Sequence, residues 1–209
     1  MHNPAISQRA LDIAHKVEAF VREVVIPYEK DPRISHHGPS DALRIELQAH
    51  AKAAGLLAPQ LGEHLGGYGL NHRETATVFR ACGYSTLGPV AMNCMAPDEG
   101  NMHLLDKVMT EAQKERWLRP LAAGEIRSAF LMTEPDDGAG SDPGMMKTSA
   151  RRDGDHWVIS GRKWLITGAE GAGFGILMAR TDEGATMFLA DMNTPGIVVE
   201  RTLDTIDRT

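Results

Sequence analysis

Cysteine is scarce: the chain of 209 residues holds two, Cys82 and Cys94. Two are too few for a disulfide framework, and no CxxC pair marks a zinc site. A reducing, cytoplasmic setting is the expectation that follows. His36, His37, His64, His72 and His103 lack metal-ligand spacing and read as surface or capping groups, so no metal is expected. Long apolar runs are missing too, and no stretch approaches the roughly 20 residues of a bilayer-spanning helix. The N-terminus, "MHNPAISQRALDIAHKVEAF", has no basic segment leading into an apolar one and does not read as a signal peptide. Basic residues form no long run, and the formal net charge is -6. Nucleic acid is therefore not an expected partner. Internal repeats and low-complexity segments are also lacking.

What is present is ordinary for a soluble globular protein, with 42% hydrophobic and 24% charged residues. The length suffices for one large domain or two small ones with a substantial core. The first part reads as helix. Ile6, Ala10, Ile13, Val17, Val21 and Val24 recur every three or four residues, with Pro4 suited to a first turn and Pro27 beyond the end. A second helix is expected from Ser40, burying Leu43, Leu47, Ala51 and Ala54 and stopping at Gly55. Asn71 with Glu74, and Thr110 with Gln113, have the spacing of capping boxes.

The pattern changes near Ser128. "SAFLMT", "TSARR", "HWVIS", "KWLIT", "GILMART", "TMFLAD" and "GIVVER" are short segments bounded by turn residues, which is strand spacing. "RDGD", from Arg152 to Asp155, carries the Asp-Gly hairpin signal. Helices followed by strands, without alternation, predict an α+β protein. The expectation is an N-terminal all-helical domain over residues 1–126 and an antiparallel β-domain over 127–209. The chain stops soon after an apparent strand, which suggests a β-domain incomplete at its C-terminal end.

Two polar stretches interrupt the strands. "FLMTEPDDGAGSD" runs from an apolar segment into acids and small residues at Thr133, and most such junctions are turns. A dinucleotide-binding turn would have to open a helix. Pro143 and "MMKTSARR" do not open one, and "EGAGFG" leads into a strand. "GRKWLITGAEGAG" shares the shape of the first stretch: apolar strand, threonine, glycines. Two adjacent strand ends, each with a threonine hydroxyl and backbone N–H groups, suit the edge of a flat heterocycle such as an isoalloxazine. Donors there stabilise the charge that builds up on reduction. Taken singly the residues are unremarkable: Trp157 and Trp164 read as strand core, and Arg151 and Arg152 as a solvated face.

"AFLMTEPDDGAGSD" and "GRKWLITGAEG" resemble the two flavin-binding segments of the acyl-CoA dehydrogenases. "GNMHLLDKVMTEAQKERWLRPLAAGEIRS" resembles the family's helical lead-in, and "GLLAPQLGEHLGGYGL" an earlier loop, so the likeness runs from Ile6 onward. It implies FAD as cofactor and α,β-dehydrogenation of an acyl-CoA thioester in fatty acid metabolism. It also implies electron transfer to an electron-transfer flavoprotein and a homotetramer or homodimer. Phe130, Met132 and Thr133 would line the flavin, Thr167 would lie near its N5, and Ser141 would contact the acyl-CoA. The family's commonest pattern stacks an aromatic residue two before that threonine. Here the position is Leu165, with the tryptophan one earlier at Trp164, so either Leu165 packs on the ring or the strand is shifted. The first loop is two residues longer between "TEP" and "SD" than the commonest form. The catalytic base is expected beyond residue 209. Glu134 is excluded by strand alternation, which points it away from the face of Thr133, and by Pro135, which keeps it extended. A flavin monooxygenase or acyl-CoA oxidase on the same fold, or a non-catalytic binding module, are the alternative readings.

Overall fold

The computed structural model describes residues 6–135, 138 and 140–204. The chain forms two compact units, a helical one running to Glu125 and a sheet unit, Ile126–Leu203.

In the helical unit, α1 (Gln8–Phe20) starts where the Ser7 side chain accepts the N–H of Ala10. It buries Ala10, Ile13, Val17 and Phe20 and runs on through a π-type turn, Val21–Val25, into a 3₁₀ turn, Ile26–Lys30. Pro27 sits in that last turn, where its missing N–H ends the helical ladder. Pro4 lies outside the described residues. A short antiparallel pair, β1 (Ile34–Ser35) and β2 (Gly38–Pro39), precedes α2 (Asp41–Ala53), which Ser40 caps. Leu43, Leu47 and Ala51 are buried as expected, whereas Ala54 is the exposed C-cap. The Asn71–Glu74 box opens α3 (His72–Cys82). After α4 (Gly88–Ala91) and α5 (Asp98–Val108), the Thr110–Gln113 box opens α6 (Glu111–Gln113), which continues through a π-type turn into α7 (Arg119–Ala122). The apolar faces of α1, α2, α3 and α4 meet in one core that includes Val17, Val21, Leu43, Leu47, Val78 and Met92. Among the described residues no helix is long and apolar enough to cross a membrane.

The sheet unit contains β3 (Ser128–Leu131), β4 (Ser149–Asp153), β5 (His156–Ser160), β6 (Phe174–Thr181) and β7 (Gly184–Asp191). Its strand order is β3-β6-β4-β5, with β7 also paired to β6. The expected antiparallel sheet is in fact mixed. β4–β5 and β6–β7 are antiparallel, but β3 and β4 both run parallel to β6. The physical reason is connection length. Asp153 pairs with His156 and Thr181 with Gly184, so each of those hairpins closes over two residues, whereas residues 132–148 and 161–173 are long enough for parallel crossovers.

Three further expectations change. "KWLIT" is not a strand, because Leu165 takes a left-handed φ of 52° that breaks any ladder. "GIVVER" is likewise outside the strands. Trp157 is 45% exposed rather than core, its ring edge-on to Phe188 at 5.3 Å across the sheet.

Candidate functional site

β3 delivers the first polar stretch. Phe130, opposite Ile176 in the parallel ladder, is half-buried, and the chain turns as Met132 N–H donates to Phe130 O at 3.1 Å. Met132 and Thr133 follow, both half-buried. Glu134 then pairs across a single antiparallel bridge with Gly140, its N–H donating to Gly140 O at 3.0 Å. That bridge closes the base of the loop, and exposed Ser141 follows it. Asp136, Asp137 and Ala139 lie outside the described residues.

The second stretch lies against the first. Trp164 donates its N–H to Thr133 O at 3.0 Å. Lys163 Nζ donates to Met132 O and to Glu134 Oε1, both at 2.8 Å. Beyond Trp164 the chain passes through Leu165, then turns at Ile166–Ala169, where Gly168 takes the positive φ of 75° that the turn demands. A Cβ at Gly168 would lie 3.7 Å from Ser128 O. The segment therefore tracks back along β3, with Trp164 at its far end and the Thr167–Gly168 turn near its start. Thr167 is exposed in that turn and is not at a strand end beside Thr133, as matched strand ends would require. Trp164 and Leu165 are 39% and 56% exposed. The structure thus brings Met132, Thr133, Lys163 and Trp164 into direct contact and leaves apolar surface open beside Thr133.

The first acid of the loop, Glu134, is turned inward onto Lys163. Its side chain is 2% exposed and that of Lys163 8%. Oε2 accepts the N–H of Lys147 at 2.7 Å, and Oε1 accepts the N–H of Thr148 at 2.9 Å besides Lys163. Burial by itself would push this carboxyl up in pKa, but the hydrogen bonds from Lys163, Thr148 and Lys147 outweigh it and hold the pKa at about 2. Such a group is a fixed anion and not a proton acceptor near neutrality. Sequence reasoning did not anticipate the Glu134–Lys163 pair. A buried lysine and a solvated one look alike in a sequence, and these two partners stand 29 positions apart.

Residues 7–125 match the family model of the acyl-CoA dehydrogenase N-terminal domain, and residues 129–207 that of the acyl-CoA dehydrogenase middle domain. FadE2 of Mycobacterium tuberculosis, provisionally assigned as an acyl-CoA dehydrogenase, is 38% identical over 94% of this chain and 51% of its own length. Human acyl-CoA dehydrogenase family member 11 is 33% identical over 94% of this chain and 27% of its own. A solved Mycobacterium abscessus protein, also provisionally assigned as an acyl-CoA dehydrogenase, superposes with a TM-score of 0.85 at 37% identity, covering 96% of this chain and 54% of that one. Glutaryl-CoA dehydrogenase from Mycobacterium smegmatis, solved in complex with FADH2, gives 0.71 at 28% identity, covering 91% and 47%. The chain spans about half the length of the FadE2 relative and less of the other. With both domain models matched in order along it, the chain belongs to the acyl-CoA dehydrogenase family.

Proposed function

We propose that this protein takes part in FAD-dependent α,β-dehydrogenation of an acyl-CoA thioester. The observation that carries the reading is the bond from Trp164 N–H to Thr133 O, which joins the two stretches that resemble flavin-binding segments into one surface. That surface fits a flat ring with a polar edge. Trp164 and Leu165 supply open apolar area, and half-buried Thr133 supplies a hydroxyl. Leu165 keeps a left-handed backbone while more than half exposed, a strained arrangement of the kind found where a ligand packs.

When bound, FAD supplies the acceptor for the hydride leaving the substrate β-carbon. Phe130, Met132, Thr133, Trp164, Leu165 and Thr167 are the residues proposed to hold it. The Thr133 hydroxyl and nearby backbone N–H groups would stabilise negative charge at the ring edge, each such bond being worth about 1.5–3 kcal/mol. Ser141, exposed beside the Glu134–Gly140 bridge, is the residue proposed to contact the acyl-CoA. In keeping with the family, the base that takes the α-proton is proposed to be a carboxylate outside residues 1–209, and Glu134, held at a pKa of about 2, is too weak a base for the step. In keeping with the family, electrons would pass to an electron-transfer flavoprotein, in a cytoplasmic homodimer or homotetramer.

The test is to purify the protein that carries this chain, record its flavin absorbance, and mix it with acyl-CoA without oxygen. Bleaching of the flavin, with slow reoxidation when oxygen is admitted, is expected. Rapid reoxidation would favour an oxidase or monooxygenase, and a colourless protein that takes up no FAD would favour a binding module.

A further inference from the structure

We propose that Lys163 is the positioning residue that locks the two polar segments into one flavin-facing surface, a role that rests on the flavin reading above. Its contacts bracket Thr133. The ammonium donates to the carbonyl of the preceding residue, Met132, and to the carboxylate of the following residue, Glu134. The next residue along, Trp164, donates its N–H to Thr133 itself. Consecutive residues of one segment therefore grip three consecutive residues of the other.

The grip extends further through Glu134. Its carboxylate accepts the N–H groups of Lys147 and Thr148, and its own N–H donates to Gly140 O. One lysine thus connects the Thr133 turn, the Trp164–Leu165 segment, the base of the Ser141 loop and the lead-in to β4.

Stability alone does not call for this arrangement. Burying an ammonium and a carboxylate costs several kcal/mol in desolvation, and well-packed apolar residues often serve as well. What a buried ion pair supplies and apolar packing does not is direction. The ammonium has three donors at fixed angles, and two of them are committed to acceptors on either side of Thr133. Without them the Trp164 N–H to Thr133 O bond is left to hold the segments at this point, and the hydroxyl and the exposed apolar pair lose their fixed relation.

The experiment compares wild type, Lys163→Met and the double variant Lys163→Met/Glu134→Gln. The double variant leaves no unpaired buried charge, and the introduced glutamine keeps one acceptor oxygen, enough for the N–H of Lys147 or of Thr148 but not for both oxygens' partners. Three quantities are read: thermal stability, hydrogen exchange of the Glu134 and Trp164 amides against amides of the β6–β7 ladder, and FAD affinity by titration. Lys163→Met is expected to lower stability, to speed exchange at Glu134 and Trp164 at least about tenfold while the ladder stays protected, and to weaken FAD at least about tenfold. The double variant is expected to regain part of the stability, the part set by the unpaired charge, but neither the protection nor the affinity. A purely structural ion pair predicts that all three return together, and that outcome overturns the proposal. So does wild-type exchange in Lys163→Met. Should that variant fail to fold, the double variant carries the exchange and affinity measurements. A wild-type protein that does not bind FAD sinks the flavin reading instead, and the exchange comparison then decides whether Lys163 braces the segments at all.

Discussion

Glu134 and Lys163 form a 2.8 Å ion pair whose side chains are 2% and 8% exposed. Thr148 and Lys147 donate to the same carboxylate, so the pair is the centre of a small backbone network.

That network makes stability depend on acid. The Glu134 carboxyl has an ordinary value of 4.5 and is held at about 2 in the fold. Between those values the unfolded chain binds the proton that the folded chain refuses. Its contribution is therefore fully present above about pH 4.5 and is lost as the pH falls toward 2. The shift corresponds to on the order of 3 kcal/mol. Urea unfolding across this range should show a slope shallower by about one proton in Glu134→Gln than in wild type. Equal slopes would mean that Glu134 titrates normally.

Glu134→Gln on its own should also destabilise the protein at neutral pH. It leaves the Lys163 ammonium buried without its counter-charge, which typically costs about 3–5 kcal/mol. A midpoint within error of wild type would show that the ammonium reaches water.

Leu165 offers a separation of stability from binding. Its φ of 52° is costly for leucine and easier for asparagine. Leu165→Asn should leave stability unchanged or raise it by up to about 1 kcal/mol, while weakening FAD because apolar contact is lost. Unaltered FAD affinity would remove Leu165 from the proposed contact set.

The Gly66–Gly67 pair in "GEHLGGYGL" tests two different demands on glycine. Gly66 has a φ of 86° and open space where a Cβ would go, whereas a Cβ at Gly67 would lie 2.2 Å from Leu61 O. Gly66→Asn should therefore be tolerated better than Gly66→Ala. At Gly67 both substitutions should cost about 1–3 kcal/mol or more, since backbone has to move. Thermal midpoints of the four variants decide it, and equal losses at the two positions would contradict the argument.

A carboxylate held at about 2 makes a poor general base at neutral pH. Residues 1–209 by themselves should therefore not exchange the α-proton of an acyl-CoA with D2O above the buffer rate. Deuterium incorporation, read by mass spectrometry, would place a base within this chain.

Local chemistry was legible in the sequence because it acts over a few residues. Ser40, Asn71 and Thr110 cap where their spacing said, the Asp-Gly turn at Gly154 closes a hairpin, and the α1 and α2 stripes reach the core. The switch from helical to strand spacing near Ser128 marks where β3 begins. Relations between distant segments were not legible, because strand direction and partner choice depend on crossovers and on which edge remains to be covered. Tertiary structure made the sheet mixed, set the Trp164–Leu165 segment along β3 without a ladder, and exposed Trp157. It also turned the acid of "MTEP" inward onto a lysine 29 positions away. The acid's type was fixed by the sequence, but its charge state is set by the donors that only the fold gathers around it.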